Sequence, residues 1–304
     1  MDQRYATNPA QIPGMTTDDL RAQYLVPDLF VPGEIRVTYT HHDRIVLGGA
    51  MPTTEPLELT GYPEIRSEYF LQHRELGIIN VGATGTVTAD GEVYTLVPGA
   101  CLYLGRGIRA IIFSSATATE ADNTPTTEPG EHTATATSVA DSATAAASAA
   151  QFYLFSAPAH TSYPAALVSP GEGTVRELGD QVTSNRRTLN QYIHENGVKS
   201  CQIVMGVTAL HPGSMWNTMP AHTHDRRTEC YLYFDLPTDA RVIHMLGQRE
   251  ETRHLVVADR QAVISPSWSL HSGVGTSAYS FVWAMAGENK AFDDMDAAPV
   301  SDLK

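Results

Sequence analysis

Lysine is nearly missing from this chain: Lys199, Lys290 and Lys304 are the only three in 304 residues. A mechanism built on a Schiff-base amine has few places to start from. Basic charge is short overall, with 20 Lys and Arg against 34 Asp and Glu and a formal net charge of −14. That balance argues against broad attraction to phosphate backbones or anionic lipid, so neither nucleic acid nor a membrane is expected as a partner. Cysteine is scarce as well. Cys101, Cys201 and Cys230 are odd in number and form no CxxC pair, which excludes a disulfide framework and a thiolate zinc site. No apolar run approaches the roughly 18 residues of a membrane span, and Met1 to Met15 lacks the apolar stretch of a secretory leader. The expectation is a soluble cytoplasmic protein. Nucleotide signatures are absent too: no GxGxxG follows a strand pattern, and there is no GxxxxGK[ST]. What remains is ordinary globular composition, 42% hydrophobic and 18% charged with 23 Gly and 18 Pro, at a length for one large or two ordinary domains.

One stretch departs from the rest. Of the 36 residues from Ser115 to Ala150, 25 are Ala, Thr or Ser, and Val139 is the only large aliphatic side chain. It buries too little apolar surface to offset its ordering entropy, so residues 115–150 read as a disordered insertion. On both sides, short β-rich runs alternate with turn residues. Ile78 to Val81, Thr84 to Thr88, Val93 to Leu96 and Cys101 to Leu104 read as a meander around the Asp90-Gly91 turn. Ile108 to Phe113 and Phe152 to Phe155 extend it. Beyond residue 200 the reading repeats with Gln202 to Leu210, Cys230 to Phe234, Ala240 to Met245, Arg253 to Val257, Ala262 to Ile264 and Tyr279 to Ala286. Helix signals are few, chiefly Thr17 to Tyr24 behind a cap at Thr16. Many short strands separated by turns predict an all-β sandwich or barrel. The junction between its halves falls near Pro170 to Gly173.

The strongest chemical pattern is Ala221-His222-Thr223-His224-Asp225-Arg226-Arg227-Thr228-Glu229, followed by His271. Side chains two apart on a strand share a face, so His222 and His224 can present two imidazoles to one ion. Four intervening residues allow a tight turn, after which Glu229 can enter beside them. His271, five residues after Pro266, sits at another turn-to-strand corner. Three imidazoles and a carboxylate suit Zn²⁺, Fe²⁺, Mn²⁺, Ni²⁺ or Co²⁺. This arrangement resembles the cupin pattern, with Trp216, Arg260, Trp268 and Gly275 departing from its usual turn residues. The first half carries the complementary remnant. Glu75 and Gly82 keep the cupin spacing, as do Gly99 and Gly107, while Glu68, Phe70 and Ala110 stand where ligands would. The resemblance implies duplicated cupin barrels: residues 1–175 without metal ligands and 176–304 with them.

Longer motifs narrow the resemblance. Phe70-Leu71-Gln72-His73-Arg74-Glu75-Leu76-Gly77, Pro158-Ala159-His160-Thr161-Ser162-Tyr163-Pro164, Thr183-Ser184-Asn185-Arg186-Arg187-Thr188 and Ser265-Pro266-Ser267-Trp268-Ser269-Leu270-His271 are similar to the 5-keto-4-deoxyuronate isomerase family, also termed 4-deoxy-L-threo-5-hexosulose-uronate ketol-isomerases. The likeness runs nearly end to end apart from the insertion. It implies an aldose-ketose isomerase acting on 5-dehydro-4-deoxy-D-glucuronate in polyuronate breakdown, giving 3-deoxy-D-glycero-2,5-hexodiulosonate. It further implies one Zn²⁺ per subunit on His222, His224, Glu229 and His271, and a homohexamer. Two other readings stand beside it: a cupin sugar isomerase of the 5-deoxyglucuronate type, and a sugar-acid-binding bicupin without turnover.

The base is left unassigned. Glu251, His244, His254 and Tyr163 are candidates because they titrate and lie in these motifs. A uronate carboxylate calls for a planar bidentate partner, for which Arg187 or Arg253 is selected. Trp216 and Trp268 are candidates for the pocket walls.

Overall fold

The computed structural model describes residues 1–116 and 149–304. Apart from its ends, the low-complexity stretch lies outside the described residues, and so does the expectation of disorder there. Those ends belong to the fold. Ser115 closes a strand, its hydroxyl donates to the Pro52 carbonyl at 2.6 Å and accepts from the Ala150 N–H at 3.1 Å, and Ala150 is buried.

The chain is all-β, with strands arranged as four sheets. A seven-stranded sheet centred on Val46–Met51, Phe152–Pro158 and Arg74–Asn80 faces a four-stranded one holding Ile111–Ser115, Gly85–Ala89 and Glu92–Leu96. A second seven-stranded sheet centred on Val204–Leu210, Ser280–Gly287 and Arg227–Phe234 faces a five-stranded one that includes Val242–Gln248, His271–Gly275 and Trp216–Thr223. Each pair closes into a β-sandwich barrel, and the two are built on one plan, as the cupin resemblance implies. The two large sheets pack back to back, so their central strands are buried on both faces and read as nearly unbroken apolar runs.

Period-two alternation divides those runs between two cores. Along Phe152–Pro158, Phe152 and Leu154 point into the first barrel, whereas Tyr153, Phe155 and Ala157 enter the interface between barrels. Along Arg227–Phe234, Tyr231 and Tyr233 fill the second barrel, while Cys230, Leu232 and Phe234 meet the first.

The Asp90-Gly91 pair makes the expected hairpin turn with both residues at positive φ, 47° and 89°. The helix Thr17–Tyr24 forms where predicted, behind a capping box of Thr16 and Asp19. The meander, however, is not continuous. Arg74–Asn80 pairs directly with Cys101–Leu104, and the hairpin between them crosses to the four-stranded sheet. Each barrel closes by this exchange between its sheets, which strand periodicity alone does not reveal.

The ends of the chain cross the expected division of the halves. Strand Thr174–Leu178 spans residue 175 and pairs with Arg187–Ile193. Ile12, Leu20, Tyr24 and Leu25 pack into the core of the second barrel, and Leu25–Val26 forms an edge strand of its sheet. Among the described residues, no helix is long and apolar enough to cross a membrane.

Candidate metal centre

Three strand ends meet at the mouth of the second barrel. His222 stands opposite His271 in the antiparallel pairing of Trp216–Thr223 with His271–Gly275, so both rings leave the same face. Between Asn217 and His222 the first of these strands slips out of register. The resulting bulge carries Thr218, Met219 and Pro220 onto a cavity wall. His224 lies just past the strand, in a turn closed by the Arg227 N–H donating to its carbonyl at 2.8 Å. Glu229 then points inward from Arg227–Phe234, on the same face as Tyr231 and Tyr233.

The four side chains converge. Nε2 of His222 lies 3.0 Å from Nε2 of His224 and 3.1 Å from Nε2 of His271. Oε2 of Glu229 lies 3.1 Å from His224 and 3.0 Å from His271. One donor atom from each residue falls within 4.8 Å of the others, and this is the candidate metal cluster among the described residues. His224 Nδ1 donates to the Asp294 carbonyl at 2.6 Å. A carbonyl can only accept, so the proton sits on Nδ1 and Nε2 offers its lone pair to the cluster. Ser265 Oγ is 3.2 Å from Nδ1 of His271 and orients that ring.

Charge follows from burial. Desolvation, reinforced by His271 and His224, pushes the His222 pKa down to about 2, and desolvation also lowers His271. Burial acting alone would raise the Glu229 carboxyl, but His271 and His224 outweigh it and hold it well below the ordinary range. Three imidazoles and a carboxylate, aimed at one point, are the donor set of a divalent transition-metal ion, and the residues fit one.

Behind the ligands lies Arg227, with no exposed surface. It donates to the carbonyls of Ala291 at 2.7 Å and Asp294 at 2.9 Å. Arg226 binds the Asp294 carboxylate through Nε and Nη2 and holds its pKa down at about 2.

A cavity of about 370 Å³ opens over the cluster. His222, His224 and Glu229 form its polar floor, and Phe281, Trp283, Met285, Phe292 and Met295 contribute apolar walls. Of the two arginines chosen from sequence, Arg187 lines this cavity and Arg253 does not. The Arg253 guanidinium donates to the carbonyls of Ile12 and Met15, at 3.1 and 2.6 Å, and so ties down the N-terminal segment.

The base candidates also separate. Glu251 and His254 are exposed on Glu251–Val257, an edge strand of the five-stranded sheet. Tyr163 packs against the core between the barrels. His244 is inside the second barrel but behind the cavity, with Nδ1 2.8 Å from the Tyr233 hydroxyl and its pKa pushed down to about 3 by burial. None of the four lines the cavity. Trp216 and Trp268 are not walls either. Trp268 donates to the Thr7 carbonyl at 3.2 Å, and Trp283 is the tryptophan that faces the site.

Sequence reasoning missed Tyr231 and Trp283. Alternation from Glu229 marks Tyr231 as sharing its face, a signal that was available. Trp283 becomes legible only once its pairing with Tyr231 is known.

The remnant in the first barrel is shifted by one residue. Leu76 pairs with Leu104 as Glu229 pairs with Ser265, so Leu76 occupies the place of the ligand. Glu75 therefore points the opposite way, into the interface, because a single step along a strand reverses the face. Its carboxylate accepts from the N–H groups of Cys201, Gln202 and Ile203 at 2.6, 2.7 and 3.0 Å, and from the Tyr103 hydroxyl at 2.8 Å.

Comparison with known proteins agrees with this arrangement. Residues 132–300 match the model of the KduI/IolB family. Proteins named 4-deoxy-L-threo-5-hexosulose-uronate ketol-isomerase are similar over their whole length. The one from Kineococcus radiotolerans is 62% identical over 304 residues and that from Halalkalibacterium halodurans 48%, each with 100% of both chains covered. The one from Escherichia coli is 45% identical over 306 residues, again with full coverage. Among solved structures, an IolB-like protein from Salmonella typhimurium superposes with a TM-score of 0.65 at 15% identity, covering 90% of this chain and 96% of that one. Full-length identity of this order and a match over more than half the sequence leave one conclusion: the chain belongs to the KduI/IolB family.

Proposed function

We infer that this protein is an aldose-ketose isomerase, a 4-deoxy-L-threo-5-hexosulose-uronate ketol-isomerase of pectin and polyuronate degradation. The observation that carries the reading is the convergence of His222, His224, Glu229 and His271 at the floor of a cavity that Arg187 also lines, in a chain 62% identical to a protein of that name. The substrate is a small keto sugar acid, 5-dehydro-4-deoxy-D-glucuronate, and the product 3-deoxy-D-glycero-2,5-hexodiulosonate. A hydrogen moves between neighbouring carbons with no net redox change.

We propose that the three Nε2 atoms and Glu229 Oε2 hold one Zn²⁺ per chain. Such an ion supplies Lewis-acid chemistry, drawing electron density from a sugar carbonyl and acidifying the adjacent C–H. The protein does the rest. Arg187 offers the uronate carboxylate a planar cationic partner. Its Nη1 is engaged by the Asn185 carbonyl at 2.9 Å, which fixes the direction of the fork. Phe281, Trp283, Met285 and Phe292 keep water away from the reacting carbons. Tyr231 keeps its proton, because burial and the Glu229 carboxylate raise its pKa; it acts as a hydrogen-bond donor to a sugar oxygen. Among the lining residues, Glu229 and Asp293 are the carboxylates from which a proton carrier would come.

The same reading takes residues 1–175, less Ile12 to Val26, which pack on the second barrel, as the metal-free barrel and 176–304 as the metal-bearing one, with the boundary strand Thr174–Leu178 going to the second, and makes the enzyme a cytoplasmic homohexamer. Light scattering in solution tests the hexamer, and a monomer would remove it. The activity is tested by offering the metallated protein freshly prepared 5-dehydro-4-deoxy-D-glucuronate beside 5-deoxy-D-glucuronate. Conversion of the first and not the second supports the reading. Conversion of the second alone moves the enzyme to the other branch of its family, and binding without conversion of either makes it a sugar-acid-binding protein.

A further inference from the structure

We propose that Arg226, acting through Asp294, is a positioning residue that sets both the metal ligand His224 and the cavity wall formed by residues 289–296. His224 has its tautomer fixed by one acceptor, the Asp294 carbonyl at 2.6 Å. That carbonyl belongs to a segment of irregular backbone between the strands Ser280–Gly287 and Asp296–Ala298. No ladder of hydrogen bonds fixes its place, so side chains must.

Arg227 holds the backbone of the segment directly, through the Ala291 and Asp294 carbonyls, and Arg226 holds its carboxylates. The Arg226 Nε donates to both carboxylate oxygens of Asp294, at 2.8 and 3.1 Å, and its Nη2 reaches Asp294 Oδ1 at 2.7 Å and Asp296 Oδ2 at 2.6 Å. A planar guanidinium gripping a carboxylate in this way fixes direction as well as distance. Asn289 holds the far oxygen of the same carboxylate. Arg226 itself sits in the turn between His224 and Glu229. Turn and segment are therefore joined three ways: by the Arg226 fork, by His224, and by Arg227, whose guanidinium donates to the Ala291 and Asp294 carbonyls at 2.7 and 2.9 Å.

The tethered segment also carries Phe292, Asp293 and Met295, which line the cavity. The Arg226 clamp thus bears on ligand orientation and pocket shape together. A surface ion pair would do neither, and exposed pairs contribute little to stability. The two roles make different predictions.

The test compares wild type with Arg226→Met, Arg226→Lys and Asp294→Ala, each stripped with a chelator and titrated with Zn²⁺ against a chromophoric competitor. Loss of an outer hydrogen-bond partner typically weakens metal affinity about 10- to 100-fold. That loss is expected for Arg226→Met and Asp294→Ala, with partial recovery in Arg226→Lys and an altered visible spectrum of the Co²⁺-loaded protein. At saturating Zn²⁺, KM for the uronate should rise more than kcat falls. Zn²⁺ affinity within twofold of wild type in both Arg226→Met and Asp294→Ala would overturn the proposal. Should Arg226→Met fail to fold, Asp294→Asn, which keeps the shape and gives up the charge, reads the same quantities. The kinetic arm rests on the isomerase reading and the Zn²⁺ titration does not: wild type without turnover would end that reading while the titration still decides the clamp.

Discussion

The two barrels are built on one plan and differ in what their interiors hold. Where the second barrel places Glu229, Tyr231, Ser265, Phe281 and Trp283, the first places Leu76, Ile78, Leu104, Phe152 and Leu154 at matching positions of the ladder. An interior of leucine, isoleucine and phenylalanine stabilises through dispersion and apolar burial alone. One that gathers three imidazoles and a carboxylate gives up part of that stability and gains a reactive centre. A duplicated fold can thus separate the two tasks, one copy serving as scaffold and the other as site.

The sharpest way to break the comparison is to make the second barrel resemble the first. Glu229→Leu should lower turnover by about three orders of magnitude or more, since a bound metal contributes several kcal/mol to the transition state. Because the change also removes the buried carboxylate that His271 and His224 stabilise, the thermal midpoint of the apo-protein should fall. Turnover kinetics and thermal unfolding together check both halves of that statement.

Next in size is Glu75→Ala. Four donors lose their acceptor at the interface between barrels, and a buried donor left without its acceptor costs about 1–3 kcal/mol. Denaturant unfolding measures this loss. Turnover per folded molecule should stay at the wild-type level, which separates Glu75 from Glu229.

Arg187→Met should raise KM for the uronate about 10- to 100-fold, the equivalent of roughly 1.4–2.8 kcal/mol of lost binding, and leave kcat less affected. Steady-state kinetics with a neutral sugar as control reads it. The smallest effect belongs to the seam. A Cβ at Gly77 would meet the Met205 Sδ at 2.6 Å across the interface. The methionine can swing aside, so Gly77→Ala should cost about 1 kcal/mol, visible as a small fall in thermal midpoint.

Much of this was legible beforehand, for identifiable reasons. Ligand spacing is a local property of strands and turns, so His222, His224, Glu229 and His271 were selected before any geometry was known. The capped helix at Thr16 and the Asp90-Gly91 turn are local too. What stayed hidden depends on which strands pair. Trp283 reaches the site only because its strand lies beside Tyr231. Arg253 and Glu251 looked like site residues by proximity in sequence, yet alternation and the N-terminal segment carry them outward. Glu75 shows the limit most clearly, since a spacing correct to one residue still placed its side chain on the wrong face.

On the proposed reading, this chain isomerises the keto-deoxyuronate through a metal held by the second barrel alone. The most direct measurement is turnover of 5-dehydro-4-deoxy-D-glucuronate by protein stripped with a chelator and then restored with Zn²⁺, with bound metal counted at each stage. Turnover should be lost on stripping and recover in full at one ion per chain. Undiminished turnover in metal-free protein, or recovery that requires two ions per chain, would contradict it.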